Sequence, residues 1–162
     1  VGLILVVMAF LEWKKARKIE QGITAALGLS MILLLQSCSS GPQPIAYGKD
    51  ACYFCKMLIS EQRFGAELIT DKHKIYKFDD IHCVASFLKS NFLNKEQVAS
   101  VYLVKYKKKG KLIKAEESFL FRSEELRSPM GGNIAAFAAE DSMIRFNKDL
   151  NGTVIKWNEV IQ

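Results

Sequence analysis

Nitrogen ligands are scarce in this 162-residue chain, which has two histidines, His73 and His82. The scarcity excludes a good ligand set for Cu(II), and no Ser/His/Asp grouping is present on which nucleophilic hydrolysis could be built. No glycine-rich phosphate loop is present either. Proline is sparse too: two of the three prolines fall in Ser39–Pro44, which reads as a flexible tether. Long apolar runs are also missing. The run Ile23–Leu35 has 13 residues, too short for a comfortable membrane span.

That run has the flanks of a secretory signal. Lys14, Lys15, Arg17 and Lys18 precede it, and Gln36-Ser37-Cys38 follows. Leu35-Gln36-Ser37-Cys38 resembles a bacterial lipobox, in which Cys38 carries the lipid and becomes the mature N-terminus. The alternative is a signal anchor with Cys38 as a bystander. A second apolar run, Val1–Leu11, lies ahead of the basic cluster, and a start at Met8 is its economical explanation. The expected organisation is a signal over 1–37, a lipidated Cys38 with its tether over 38–49, and a domain over 50–162. The domain is expected to be exported and held at the cell envelope by the lipid.

Cleavage before Cys38 leaves 125 residues, one domain's worth. It removes four basic and two acidic residues, which takes the net charge from +6 to +4. The most basic stretch, Lys105–Lys111, reads as a solvated hairpin end with Gly110 in the turn. In an exported protein it is not a nucleic-acid patch; anionic lipid headgroups are a weak partner for it.

Within the domain, Arg63–Thr70 places Phe64, Ala66 and Leu68 on one face, the period of a strand. Ile75–Phe78 reads as a second strand after a turn holding His73. Asp79 and Asp80 are natural N-cap residues for a helix with Ile81, Val84, Ala85 and Leu88 inward. Val101–Tyr106 reads as a third strand. The order then recurs, with strands at Ser118–Arg122 and Asn133–Phe137, a helix from Glu140 with Met143, Phe146 and Leu150 inward, and a strand at Gly152–Trp157. "IYKFDDIHCVASFL" and "IAAFAAEDSMIRFN" share one pattern, so the expected fold is α+β, built of two ββαβ units.

Lipidation of Cys38 leaves three thiols, Cys52, Cys55 and Cys83. An odd number cannot all pair in an oxidising compartment. Two thiols and a thioether crowd into "DACYFCKM" at Asp50–Met57. A thioredoxin-like pair would follow a buried strand and open a helix, whereas this pair comes straight out of the tether. Covalent haem needs His after the second Cys, where Lys56 stands. Zinc needs four ligands, and His82-Cys83 makes a strained second pair. If the segment is extended, Cys55 and Met57 project from one face and Cys52 from the other. A thiolate with a thioether is a soft set that selects Cu(I), although Met57 taken alone reads as core packing before it reads as a ligand. Met130 lies in Pro129-Met130-Gly131-Gly132, off any helical stripe, and so is a better ligand candidate than Met143, which has core spacing. Cys83 and His82 fall in a first helical turn, where a thiol's pKa is lowered; a small buried hydrophobe is the competing reading for Cys83.

"DACYFCKMLISEQRFGAELIT", "KFDDIHCVASFL", "PMGGNIAAFAAEDSMIRF" and "GTVIKW" resemble the NosL family over about Asp50–Trp157. The resemblance implies a periplasmic, often lipid-anchored Cu(I)-binding protein that serves nitrous oxide reductase, with an ABC-type assembly complex as a further partner; this chain is then expected in the cell envelope, lipid-anchored and facing the periplasm. It also implies two ββαβ halves related to organomercurial lyase. Cys55 and Met57 match the family's Cys-x-Met, and Met130 its Met-Gly-Gly. Lys56 and His82 stand where Gly is common in the family. Cys83, Cys52 and His82 complete the list of metal-ligand candidates. No catalytic role is expected. Two other readings stay open: a periplasmic thiol-disulfide protein using Cys52 and Cys55, and a lyase using Cys55, Cys83 and Asp79.

Overall fold

Both halves of the domain fold with one order of elements. In the first, β1 (Ala66–Thr70) and β2 (Ile75–Phe78) form a hairpin, α1 (Ile81–Lys89) follows, and β3 (Val98–Val104) returns to the other side of β1. A short β4 (Leu112–Lys114) extends that sheet. In the second, β5 (Phe119–Arg122) pairs with β6 (Ile134–Phe137), α2 (Glu140–Asn147) follows, and β7 (Thr153–Ile155) returns to β5. The sheet orders are β2-β1-β3-β4 and β6-β5-β7, antiparallel throughout. The computed structural model describes residues 41–148 and 150–162, so the signal segment 1–37 and Cys38 lie outside the described residues.

The expected α+β architecture of two ββαβ units is present, and the elements fall at matching positions of the two related sequence blocks. β2 and β6 occupy equivalent positions in them, and each helix begins three residues after its strand. The N-cap residues, Asp80 and Ala139, share an extended backbone, with φ −142° and −144°. The chemistry has diverged: Asp80 caps with its side chain and Ala139 cannot, and Ser142 stands where the first half has Cys83.

Several bounds depart from expectation: β1 starts at Ala66 rather than Arg63, β3 ends at Val104 rather than Tyr106, and β7 ends at Ile155 rather than Trp157. β3 starts at Val98, three residues early, because a register shift at Ile69/Thr70 lets Val98 still pair with β1. β4 is a half-exposed, three-residue edge beside the lysine run, too short to show alternation. After β7 the chain forms a single helical turn, α3 (Trp157–Val160). The lysine run does close a hairpin: Lys105 N donates to Lys111 O at 2.7 Å, and Gly110 takes φ +71°.

One apolar cluster lies between the first sheet and α1, with Leu68, Phe78, Ile81, Val84 and Leu103 fully buried. The second half adds a cluster around Phe64, Phe121 and Met143, so Met143 is core, as its helical spacing predicts. A parallel bridge of Lys105 to Ala136, with Tyr106 N donating to Ala136 O at 2.8 Å, connects the two sheets.

The tether is fixed at its C-terminal end. Gln43 N donates to Glu67 Oε1 at 2.9 Å, Lys77 Nζ donates to Pro44 O at 2.9 Å, and Ile45 is buried against Gly65 and Val104. This strap explains why all five residues of β1 are buried, Glu67 included. Burial holds the Glu67 carboxyl above its usual range.

Candidate metal centre

The Asp50–Met57 segment is a closed loop, and the extended reading of it is corrected. Ala51 and Leu58 form an isolated antiparallel bridge, Cys52 N donates to Met57 O at 2.7 Å, and Lys56 N donates to Cys52 O at 3.0 Å. Lys56 takes φ +65°, the left-handed region that favours glycine. The loop closes because it has an edge to cover. Tyr53 N donates to Lys77 O of β2 at 2.8 Å, Asp50 is clamped by Lys77 Nζ at 2.7 Å, and the Tyr53 ring sits 4.5 Å from Tyr76 and 5.5 Å from Phe87. With Tyr53 wedged there, Cys52 and Cys55 do not fall on opposite faces.

The third thiol arrives from α1. Asp80 Oδ1 accepts from His82 N at 2.8 Å and starts the helix, which puts Cys83 in its first turn facing inward. The Sγ atoms of Cys52, Cys55 and Cys83 all lie within 4.8 Å of one another. Three sulfurs bound to one metal at about 2.3 Å stand about 4 Å apart. The trio therefore needs to contract by less than about 1 Å to share one ion. Cys52 and Cys83 are fully buried and Cys55 is half-buried, so solvent reaches the group through Cys55.

The three thiols are electrostatically unequal. The neighbouring Cys83 thiol lowers the Cys52 pKa to about 5 against the opposing cost of burial, with the Asp79 and Cys55 backbones adding to the lowering. The neighbouring Cys52 raises Cys83, with burial adding to it. Burial raises Cys55. Asp79, 2% exposed, is pushed up to about 6 by burial first and by the Cys52 thiolate second, and its Oδ1 has no hydrogen-bond partner. Among the described residues no Lys or Arg forms a salt bridge with Asp79. A buried thiolate beside a buried carboxyl is costly without a cation, and a bound soft metal ion would relieve it.

Asp79 carries a pH dependence. Its folded pKa lies above the ordinary 3.8, so the native state holds the proton more tightly than the unfolded chain. The metal-free domain is expected to lose stability as pH rises from 3.8 to about 6, and then to level off. Asp79→Asn should flatten that window in denaturant titrations run across it.

The methionines sit differently. Met57 is 53% exposed, which removes core packing as its role, and it neighbours Leu58 at 53% and Phe54 at 40% exposure. Met130 is half-buried against the main core, and Met130 N donates to Asp80 Oδ2 at 2.9 Å, so its loop lies against the start of α1. His82 is exposed, with Nε2 3.2 Å from Ser86 Oγ. His73 is exposed in its turn. Sequence reasoning ranked Cys52 and Cys83 behind the methionines. The uneven thiol count was the available signal for a three-thiol group, and the Phe-Asp-Asp run was the signal for two buried carboxyls beside it.

The family model of NosL matches residues 44–162, which takes in both halves and all three thiols. The chain belongs to the NosL family. Among solved structures, the copper chaperone NosL from Shewanella denitrificans matches with a TM-score of 0.65 and 23% identity, covering 77% of this chain and 98% of that one. No curated protein matches this chain. The NosL match agrees with the fold expected from the sequence, and the three-thiol group is a candidate metal site within it.

Proposed function

We propose that this NosL-family protein carries Cu(I) as cargo on Cys52, Cys55 and Cys83, with Met130 and Met57 as thioether candidates, and hands it on for maturation of nitrous oxide reductase. The observation that carries the reading is the convergence of three thiols within 4.8 Å, one of them half-exposed. Thiolates with thioethers select a soft, low-coordinate ion. Delivery needs one ligand that a recipient can displace, and Cys55, beside the exposed Met57, supplies it. An ABC-type assembly complex is the proposed recipient system. The protein acts as a carrier, not as a catalyst, on the periplasmic side of a membrane, held there by a lipid on Cys38.

Maturation is tested in a denitrifying host deleted for its own NosL-family protein. Restoring this chain is expected to restore copper to the purified reductase. A reductase that stays copper-poor with this chain well expressed would contradict the delivery role. The anchor is tested separately: Cys38→Ser protein should leave the membrane fraction yet keep its copper stoichiometry. Retention in the membrane would favour the signal anchor. A second reading has one observation behind it. The lowered pKa of Cys52 in a Cys-x-x-Cys pair also suits thiol–disulfide exchange. Only the copper reading expects a loss of function from Met130→Leu.

A further inference from the structure

Asp80 is fully buried, and both of its carboxylate oxygens are occupied by the polypeptide. Oδ1 accepts from His82 N at 2.8 Å at the start of α1. Oδ2 accepts from Met130 N at 2.9 Å and from the Ser128 hydroxyl at 2.5 Å. Ser128 is itself fixed: its Oγ accepts from Asn133 N at 2.8 Å, and its N donates to Asn133 Oδ1 at 2.9 Å. Gly132 lies against the same point, where an added Cβ would stand 2.6 Å from His82 Cβ. One carboxylate thus joins the helical turn that carries Cys83 to the loop that carries Met130.

Helix capping does not account for this. A cap needs one side-chain oxygen, and α2 forms from Ala139 with the same extended backbone and no side-chain cap at all. A buried carboxylate is also a costly way to start a helix. The second oxygen is spent on the loop.

We propose that Asp80 is the positioning residue of the metal centre: through Met130 N and Ser128 it sets where the Met130 thioether stands relative to the three thiols. This rests on the reading of the thiol group as a Cu(I) carrier with Met130 as a ligand. A loop held this way presents the thioether without an ordering cost on binding. Asp80→Asn isolates the effect. Its amide keeps the oxygen that caps α1 and turns an NH2 group toward the Met130 N–H, which converts the loop-side contact from attraction to repulsion.

The experiment is a double-mutant cycle on the domain from Ser40 to Gln162, which forms a compact unit of its own. Anaerobic Cu(I) competition against a colorimetric chelator is measured for Asp80→Asn, Met130→Leu and the pair. Each single variant is expected to bind about tenfold more weakly, and the pair also about tenfold rather than about a hundredfold, because both remove one ligand. In parallel, the methyl NMR signal of Met130 is expected to shift on Cu(I) addition in the parent and to stay unmoved in Asp80→Asn. Multiplying losses, or a Met130 shift that persists in Asp80→Asn, overturns the positioning role and leaves the copper reading standing. Met130→Leu binding like the parent overturns it too, while the thiols remain. A parent domain that binds no Cu(I) fails the carrier reading itself, and Asp80 with it. Should Asp80→Asn not fold, Ser128→Ala removes one loop bond with the cap intact, and the same cycle is run with it.

Discussion

Cys52→Ser is expected to weaken Cu(I) binding by about 100-fold or more, a loss of roughly 2.8 kcal/mol, and as severely as Cys55→Ser or Cys83→Ser. Each change removes a soft donor, and Ser offers only a hard hydroxyl in its place. The variants should fold, because Ser closely matches Cys in volume, although a buried hydroxyl costs about 1–3 kcal/mol if it finds no partner. Chelator competition read alongside thermal melts separates the two effects. Normal binding by Cys52→Ser, with loss only in Cys55→Ser, would break the three-thiol site apart.

Gly132→Ala is the second large effect. Its added Cβ would meet His82 Cβ at 2.6 Å, Asp80 Oδ1 at 2.7 Å and His82 N at 3.2 Å. Neither the helix start nor the buried carboxylate can move aside cheaply, so overpacking should cost about 1–3 kcal/mol. The loop must lift to relieve it, and Met130 lifts with the loop. Copper affinity is therefore expected to fall together with the melting temperature. Gly131→Ala is the internal control. Gly131 has φ +69° but nothing within 4 Å of a new Cβ, so only the backbone penalty applies, about 1 kcal/mol. Equal melting temperatures for the two variants would show that close packing at Gly132 does not hold the loop.

The halves were legible in the sequence because each carries its own periodicity. The period of two in β1 and β2 and the helical spacing of Ile81, Val84 and Ala85 are local properties, and they recur one block later. β4 and α3 were not legible, since three or four residues hold no measurable period. The site was half legible. Its soft-ligand chemistry follows from residue types, and the Met-Gly-Gly loop stands out for lacking any period. Its geometry depends on a turn at Lys56, and a Lys at φ +65° gives no turn signal of the kind that glycine gives. The extended reading therefore separated Cys52 from Cys55. The strap was illegible for a related reason: Gln43 and Pro44 look like linker until the buried Glu67 and the β2 lysine, Lys77, are seen to hold them.

Charge also ties the fold to the site. Asp50 is held below the usual carboxylate range by the hydrogen bond from Lys77, and that same lysine fixes Pro44. The thiol loop and the strap are therefore anchored by one side chain on β2.

The most direct test of the central claim is an anaerobic Cu(I) titration of the domain from Ser40 to Gln162, with bound metal and free thiols counted in the same samples and Zn(II) offered in competition. The account expects one Cu(I) per domain, all three thiols protected from alkylation once it is bound, and little displacement by Zn(II). A domain that takes up zinc as tightly as copper, or that keeps its three thiols freely reactive with copper present, contradicts it.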